Sequence, residues 1–273
     1  MIKIENNIKI CYNILKLGGK MEKVIRKTML YKTGVEYGDY TINHIIGCSH
    51  GCKYPCYAYM MAHRFGKAKT MSDWCEPVLI DNYMEILNKE LPKLYNKIKS
   101  VQLCFSTDPF MYNREDFLKS TIEIIRLLNS YNIPCYILTK GVLPKQLIEL
   151  NKMNYYGITL VSLSEKFRRD IEPGAAPIKE RLESLKYLKE NGCNTWISIE
   201  PYPTPNIFPQ DLSELLNECK FVDKIIFGRL HYNKLVSEYK DYKKFYNECA
   251  EKVKQFCDIN NIDCHIKNKT ITE

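Results

Sequence analysis

The 273-residue sequence lacks any long hydrophobic run. Its apolar runs are short, such as Ile225–Phe227 and the broken segment 8–17, which Lys9, Asn13 and Lys16 interrupt. A bilayer span needs about 20 consecutive apolar residues. The early stretch also ends without a small-residue cleavage site, so the chain reads as cytoplasmic, with no membrane partner and no signal peptide. Internal repeats, low-complexity segments and Pro/Gly-rich linkers are missing too, which argues for a single domain over residues 1–273. So is a dense basic block. Lys and Arg outnumber Asp and Glu by 40 to 32, a formal charge of +8, but the cations are spread among helices. This balance favours anionic partners in general and leaves nucleic acid open but not favoured.

With 45% hydrophobic and 26% charged residues, the chain has ample material for a core. From residue 100 onward, brief apolar runs alternate with amphipathic stretches. Val101–Ser106, Cys135–Leu138, Ile158–Val161, Thr195–Ile199 and Lys224–Phe227 read as buried strands, and Tyr40–Ile46 supplies one more upstream. Leu118, Ile122, Ile125 and Leu128 share one helical face, as do Ile178, Leu182, Leu185 and Leu188. The second helix should end at Asn191-Gly192. Ile80, Tyr83, Leu87, Leu91 and Leu94 mark an earlier helix, weakened near Pro92. Alternating elements predict an α/β fold with parallel strands. Six strands are fewer than the eight of a closed barrel, so a partial (β/α)6 TIM-like barrel is expected, a doubly wound sheet being the rival. Its core would span about 38–230, with residues 231–273 as a C-terminal extension. In either arrangement function belongs at the C-terminal ends of the strands.

Twelve cysteines suit a reducing compartment only as free thiols or metal ligands. Nine are isolated: Cys11, Cys75, Cys104, Cys135, Cys193, Cys219, Cys249, Cys257 and Cys264. The other three lie together in Gly47-Cys48-Ser49-His50-Gly51-Cys52-Lys53-Tyr54-Pro55-Cys56-Tyr57. Glycines and Pro55 keep this segment from forming a regular helix, so it can wrap and turn its sulfurs inward. Two metal sites fit. Zinc would need a fourth ligand, for which His50 and His63 are available. An iron–sulfur cluster on three thiolates would leave one iron open.

Cys48-x3-Cys52-x3-Cys56 at the end of a first barrel strand resembles the radical S-adenosylmethionine (SAM) enzymes, whose usual spacing is one residue shorter. The similarity runs from roughly Thr41 to Glu200, and its branch looks like spore photoproduct lyase and relatives. Ser106-Thr107-Asp108-Pro109 resembles the branch's turn near SAM and replaces the wider family's glycine-rich turn. Leu138-Thr139-Lys140 resembles a segment whose lysine pairs with the methionyl carboxylate. Ser162 matches a SAM-contacting serine, and Tyr54 an aromatic near the adenine. Ile171-Glu172-Pro173-Gly174 and Ser198-Ile199-Glu200-Pro201 also follow the branch. The resemblance implies a [4Fe–4S] cluster on Cys48, Cys52 and Cys56. It also implies SAM bound by Tyr54, Ser106, Thr107, Asp108, Lys140 and Ser162, cleavage to a 5′-deoxyadenosyl radical, and an electron donor such as flavodoxin or ferredoxin.

The substrate side is read at late strand ends, from Glu200, Tyr202, Arg229 and His231. Glu200 stands where relatives carry a small residue, so its carboxylate would either face a substrate or pair with Arg229. Cys104 reproduces the offset of a hydrogen-returning cysteine in the lyase branch. By strand alternation it would share the barrel interior with Ser106, and a plain buried thiol is the alternative. The compact chain with relaxed cysteine spacing also resembles the lyases of queuosine salvage, which implies a small, nucleobase-like substrate such as a modified deazapurine. Lesion repair on DNA and peptide modification are the enzymatic alternatives. A zinc-stabilised nucleic-acid-binding module is the non-enzymatic one.

Overall fold

The computed structural model describes residues 13–15, 23–36 and 38–272; Cys11 lies outside them. Among these residues, eight short strands share one sheet. They are β1 (Tyr31–Lys32), β2 (Tyr40–Ile42), β3 (Val101–Leu103), β4 (Cys135–Thr139), β5 (Tyr155–Thr159), β6 (Asn194–Tyr202), β7 (Lys224–Arg229) and β8 (Asp263–Ile266). β2 to β8 run parallel, and β1 lies antiparallel on β2. Spatial order follows chain order throughout. A doubly wound sheet reverses its order at a switch point, and here none occurs. The sheet is therefore an open, partial TIM-type barrel.

Apolar residues at the sheet centre explain its register. Ile197 stands opposite both Ile158 and Ile225, and all three are fully buried. Each such side chain contributes about 1.5–3 kcal/mol by leaving water. The β4–β5 crossover holds only a 3-10 segment, Lys145–Glu149, and the others are α-helical: α1 (Tyr57–Arg64), α2 (Tyr83–Leu94), α3 (Leu118–Ser130), α4 (Glu165–Ile171), α5 (Ile178–Glu190), α6 (Leu212–Glu218) and α7 (Tyr242–Asn260). The stripes on α3 and α5 face the core as their spacing predicts, and Gly192 takes the left-handed turn after α5. Pro92 sits in the last turn of α2. No helix of the described residues is long and apolar enough to cross a membrane.

Three expectations change. The parallel set has seven members, because β8 pairs with β7 and carries the sheet past residue 230. The Tyr40–Ile46 run divides: Ile45–Ile46 leaves the sheet to pair with Val78–Leu79. β3 stops at Leu103, and Cys104 has a φ of 52°, in the left-handed region. The strand has turned before Cys104, so alternation does not place its thiol beside Ser106.

The two edges of the sheet approach each other without pairing. Glu36, in the β1–β2 connection, meets the His265 ring of β8 at 2.8 Å and accepts the Asn268 backbone N–H at 3.0 and 3.1 Å. A side chain bridges the seam.

Candidate active site

The cysteine loop leaves the sheet just beyond β2. Gly47 has a φ of 87°, and a Cβ there would lie 2.7 Å from the Trp74 carbonyl, so only glycine fits. The next residue anchors the loop, since the Cys48 N–H donates to that carbonyl at 2.8 Å. From the far side, Lys53 N–H donates to Ile171 O and Gly174 N–H to His50 O, at 2.7 and 2.9 Å. Cys52 is buried, whereas Cys48 and Cys56 are half-buried. Burial, the Asp108 charge and the neighbouring thiols push the Cys48 thiol up, and burial above all pushes Cys52 up to about 11. Iron entering here must therefore displace protons.

The two histidines offered as a fourth zinc ligand both have other partners. His50 Nε2 accepts the Tyr112 N–H at 3.3 Å, while Nδ1 faces Asp108 at 3.5 Å. Both ring nitrogens are engaged. His63 turns its Nδ1 to the Ala68 carbonyl at 3.2 Å. Among the described residues, no three His, Cys, Asp or Glu side chains converge as one zinc ion requires. A cluster places each thiolate on a different iron. Cys48, Cys52 and Cys56 share one loop within each other's electrostatic range, a thiol-only donor set of the kind that iron–sulfur clusters take.

Beside Cys52 stands a buried charge network. The Lys140 ammonium, at the end of β4, lies 3.8 Å from Cys52 Sγ and 3.2 Å from Glu172 Oε1, and it donates to the Tyr54 hydroxyl. That hydroxyl donates to Glu172 Oε1 at 2.7 Å. Arg181 on α5 donates through both terminal nitrogens to Glu172 Oε2 at 3.1 Å. It also donates to the Ala176 and Thr159 carbonyls at 2.8 and 3.0 Å. Burial opposes the charge on Glu172, but Lys140, Arg181 and the Tyr54 hydroxyl outweigh it and hold the carboxyl below its ordinary range. Burial likewise opposes the Lys140 cation, and the Cys52 and Glu172 charges prevail. Asp108 braces this arrangement from the protein side. It accepts Thr139 Oγ1–H, the Lys140 N–H and the Phe110 N–H at 2.6, 2.8 and 2.8 Å.

Other expected residues line the strand ends separately. Ser106 donates its N–H and hydroxyl to Asn43 Oδ1, both at 2.9 Å, and the Thr107 hydroxyl reaches Ile45 O at 3.4 Å. Ser162 is buried and accepts the Ser164 N–H at 3.1 Å. Cys104 packs with Ile45, Met111 and Phe117, against which Cys48 also rests. Its Sγ lies 3.4 Å from His44 Nδ1, and His44 Nε2 lies 2.9 Å from Thr121 Oγ1. Thr121 gives its proton to Pro109 O, so Nε2–H donates and Nδ1 accepts the thiol proton. Burial, then Arg26, drops His44 to about 3, and burial raises Cys104 to about 12, so both groups are neutral.

On the late strands Glu200 pairs with Lys267, at 3.3 Å, and not with Arg229. The Arg229 Nε instead lies 3.3 Å from His231 Nδ1. Burial raises the Glu200 carboxyl against the pull of Lys267, and lowers His231 to about 4. Tyr202 does not face a substrate. It is 1% exposed and packs between Phe227 and Phe245. Sequence reasoning missed Arg181 and Lys267. Arg181 had left a signal, as a cation inside the apolar stripe Ile178, Leu182, Leu185 and Leu188.

Residues 42–219 match the family model of the Radical SAM superfamily. An uncharacterized protein of Methanocaldococcus jannaschii is 28% identical over 225 residues, 81% of each chain. An uncharacterized protein of Acidianus two-tailed virus is 27% identical over 221 residues, covering 76% of this chain and 72% of that one. Among solved structures, a spore photoproduct lyase mutant with bound AdoMet and dinucleoside spore photoproduct aligns with a TM-score of 0.64. The identity is 12%, over 89% of this chain and 80% of that one, and shows a shared fold.

Proposed function

The chain belongs to the radical SAM superfamily, and on that footing we propose that it binds a [4Fe–4S] cluster through Cys48, Cys52 and Cys56 and cleaves SAM beside Lys140. When bound, the cluster and SAM supply one-electron reduction and the abstraction of a substrate hydrogen atom. The observation that carries this reading is the half-buried Lys140 ammonium, 3.8 Å from Cys52 Sγ and oriented by Glu172 and Tyr54. A half-buried ammonium beside the cysteine loop would suit the carboxylate of an amino acid. Asp108 fixes the Lys140 backbone, and Ser106, Thr107 and Ser162 offer hydroxyls from the loops that follow β3 and β5. The neutral Cys104 thiol is shielded from water. On the substrate side, Glu200 and Lys267 form an ion pair that a small polar substrate can open, with Arg229 and His231 beyond it.

A small nucleobase-like substrate, such as a modified deazapurine undergoing lyase chemistry, suits a compact barrel without a basic stripe. Lesion repair on DNA is the second reading, and the fold shared with spore photoproduct lyase favours it. Anaerobic reconstitution and assay for 5′-deoxyadenosine test the common premise. The Cys48→Ala, Cys52→Ala and Cys56→Ala variants should lose iron and activity. Lys140→Ala should keep the cluster spectrum yet bind SAM more weakly by about 1.5–3 kcal/mol, the worth of a charged hydrogen bond. Stimulation by queuine at low concentration supports the salvage reading, and stimulation by dinucleoside spore photoproduct alone supports repair. Iron retention and SAM cleavage in all three cysteine variants would remove the premise.

A further inference from the structure

We propose that Cys264 is a site of reversible oxidation by peroxide, and that Cys257 closes it into a disulfide tying α7 to β8. The sequence sets up the meeting. Tyr246, Ala250, Val253 and Cys257 recur at four, three and four residues, and they belong to the buried face of α7. After the helix, Ile262, Cys264 and Ile266 alternate with Asp263 and His265 at the period of a strand. The helix stripe and the Ile262 face of the strand pack into one apolar core.

A tight reversal joins them. Asn261 ends α7 in the left-handed region, with a φ of 54°, and the Ile262 N–H donates back to Cys257 O at 2.9 Å. The strand is then fixed beside β7, with Cys264 opposite Ile225. Cys264 comes to rest against Cys257, and the two thiols hydrogen-bond each other.

The pair is asymmetric, which assigns the roles. Cys257 is fully buried, while Cys264 is half-buried. The mutual hydrogen bond holds the Cys264 thiol below its ordinary value, against burial and the Asp258 and Asp263 charges, with Lys254 assisting. The same bond, together with burial, pushes Cys257 up. Burial raises Cys104, Cys135, Cys219 and Cys249, so these stay protonated. Thiolate character and access select the sulfur that a peroxide meets first. Cys219 also lies near Cys257, but its thiol donates to Leu215 O at 3.1 Å.

Hydrogen peroxide is the oxidant. The Cys264 sulfur attacks one peroxide oxygen and the O–O bond breaks, leaving a sulfenic acid and one water. The Cys257 sulfur then attacks the sulfenic sulfur. An S–S bond forms, the S–O bond breaks, and the hydroxyl leaves with the thiol proton as a second water. Each sulfur is oxidised by one electron and the peroxide is reduced by two. A thiol reductant reverses the link, as suits the transient disulfides of reducing compartments. The oxidised link would brace the strand that leads directly into Lys267, the partner of Glu200.

The test is peptide mapping of the full chain before any iron is added, so its outcome is separate from the cluster assignment. Trypsin releases both thiols on one peptide, 255–267, because no Lys or Arg lies between them. After brief treatment with hydrogen peroxide, then N-ethylmaleimide in denaturant, this peptide should lack two hydrogens and carry no label. It should reach that state about tenfold sooner than Cys249 is blocked, because reactivity follows thiolate content. Dithiothreitol should restore both labels. Cys257→Ser should leave a sulfenic acid on Cys264 that dimedone traps, and Cys264→Ser should leave Cys257 labelled. Full labelling of both parent thiols after peroxide has blocked Cys249 overturns the inference, in a measurement that needs no variant. A disulfide from Cys257 to Cys219 in place of Cys264 overturns it as well.

Discussion

Glu172 is the residue on which the polar centre turns. One oxygen serves Lys140 and Tyr54, and the other serves Arg181. Replacing it with Gln leaves the buried Arg181 and the half-buried Lys140 short of one negative charge, and removing one partner of a buried ion pair costs about 3–5 kcal/mol. Chemical denaturation of Glu172→Gln at neutral pH should show a loss of that size. The pH dependence has a definite sign. Because the folded-state carboxyl titrates below its unfolded value, its stabilisation is complete above the ordinary carboxylate range and fades as pH falls through the folded value. The variant should thus lose less stability on acidification than the parent, and parallel curves would show that Glu172 does not govern the acid limb. Lys140 was legible through the resemblance of Leu138-Thr139-Lys140 to a family segment at a strand end, since its position alone equally suits a surface lysine. Lys267 was not, since nothing local announces that a C-terminal lysine folds back to Glu200. Cys104 misled for a different reason. A positive φ at a non-glycine residue is uncommon and leaves no mark on the hydrophobic pattern.

At the scale of elements, the cysteine loop is held less by its own residues than by the segment between α4 and α5. Gly174 shows how closely they meet: a Cβ there would lie 2.3 Å from Ser49 O and 2.9 Å from His50 Cα. Gly174→Ala should therefore push the loop away at an overpacking cost of about 1–3 kcal/mol. Iron per chain after reconstitution should fall while far-ultraviolet dichroism is kept. Full iron loading would mean that the loop yields without disturbing its thiols. The strands and helices that carry this packing were readable from period and length, because their centres are apolar on one or both faces. Their ends were not. β3 and β5 stop at Leu103 and Thr159, short of the apolar residues that continue the run, because the chain turns there into the site loops.

For the whole molecule, an open sheet leaves two edges that need covering, and Glu36 covers part of the gap by reaching His265 and Asn268. Glu36→Ala removes three acceptor contacts from a partly exposed carboxylate, a loss of about 1–2 kcal/mol. Hydrogen exchange should quicken at Tyr31–Lys32 and Asp263–Ile266, with iron content unaffected. Unaltered exchange at both edges would show that other contacts hold the seam. That bridge could not be foreseen, since it joins opposite ends of the chain.

The monotonic order of the strands also fixes a sequence of events during synthesis. Each parallel strand from β3 onward pairs with one already made, so the barrel can be laid down from its N-terminal side as the chain leaves the ribosome. The thiols of Cys48, Cys52 and Cys56 emerge early. The groups that pin their loop, Ile171 and Gly174, and the Glu172–Arg181 pair that orients Lys140, emerge only after β5. Through that interval a nascent chain can hold the cysteine loop only from its near side, where Cys48 meets Trp74. On the cluster reading proposed above, iron delivered in that interval would meet a loop not yet pinned by Ile171 and Gly174.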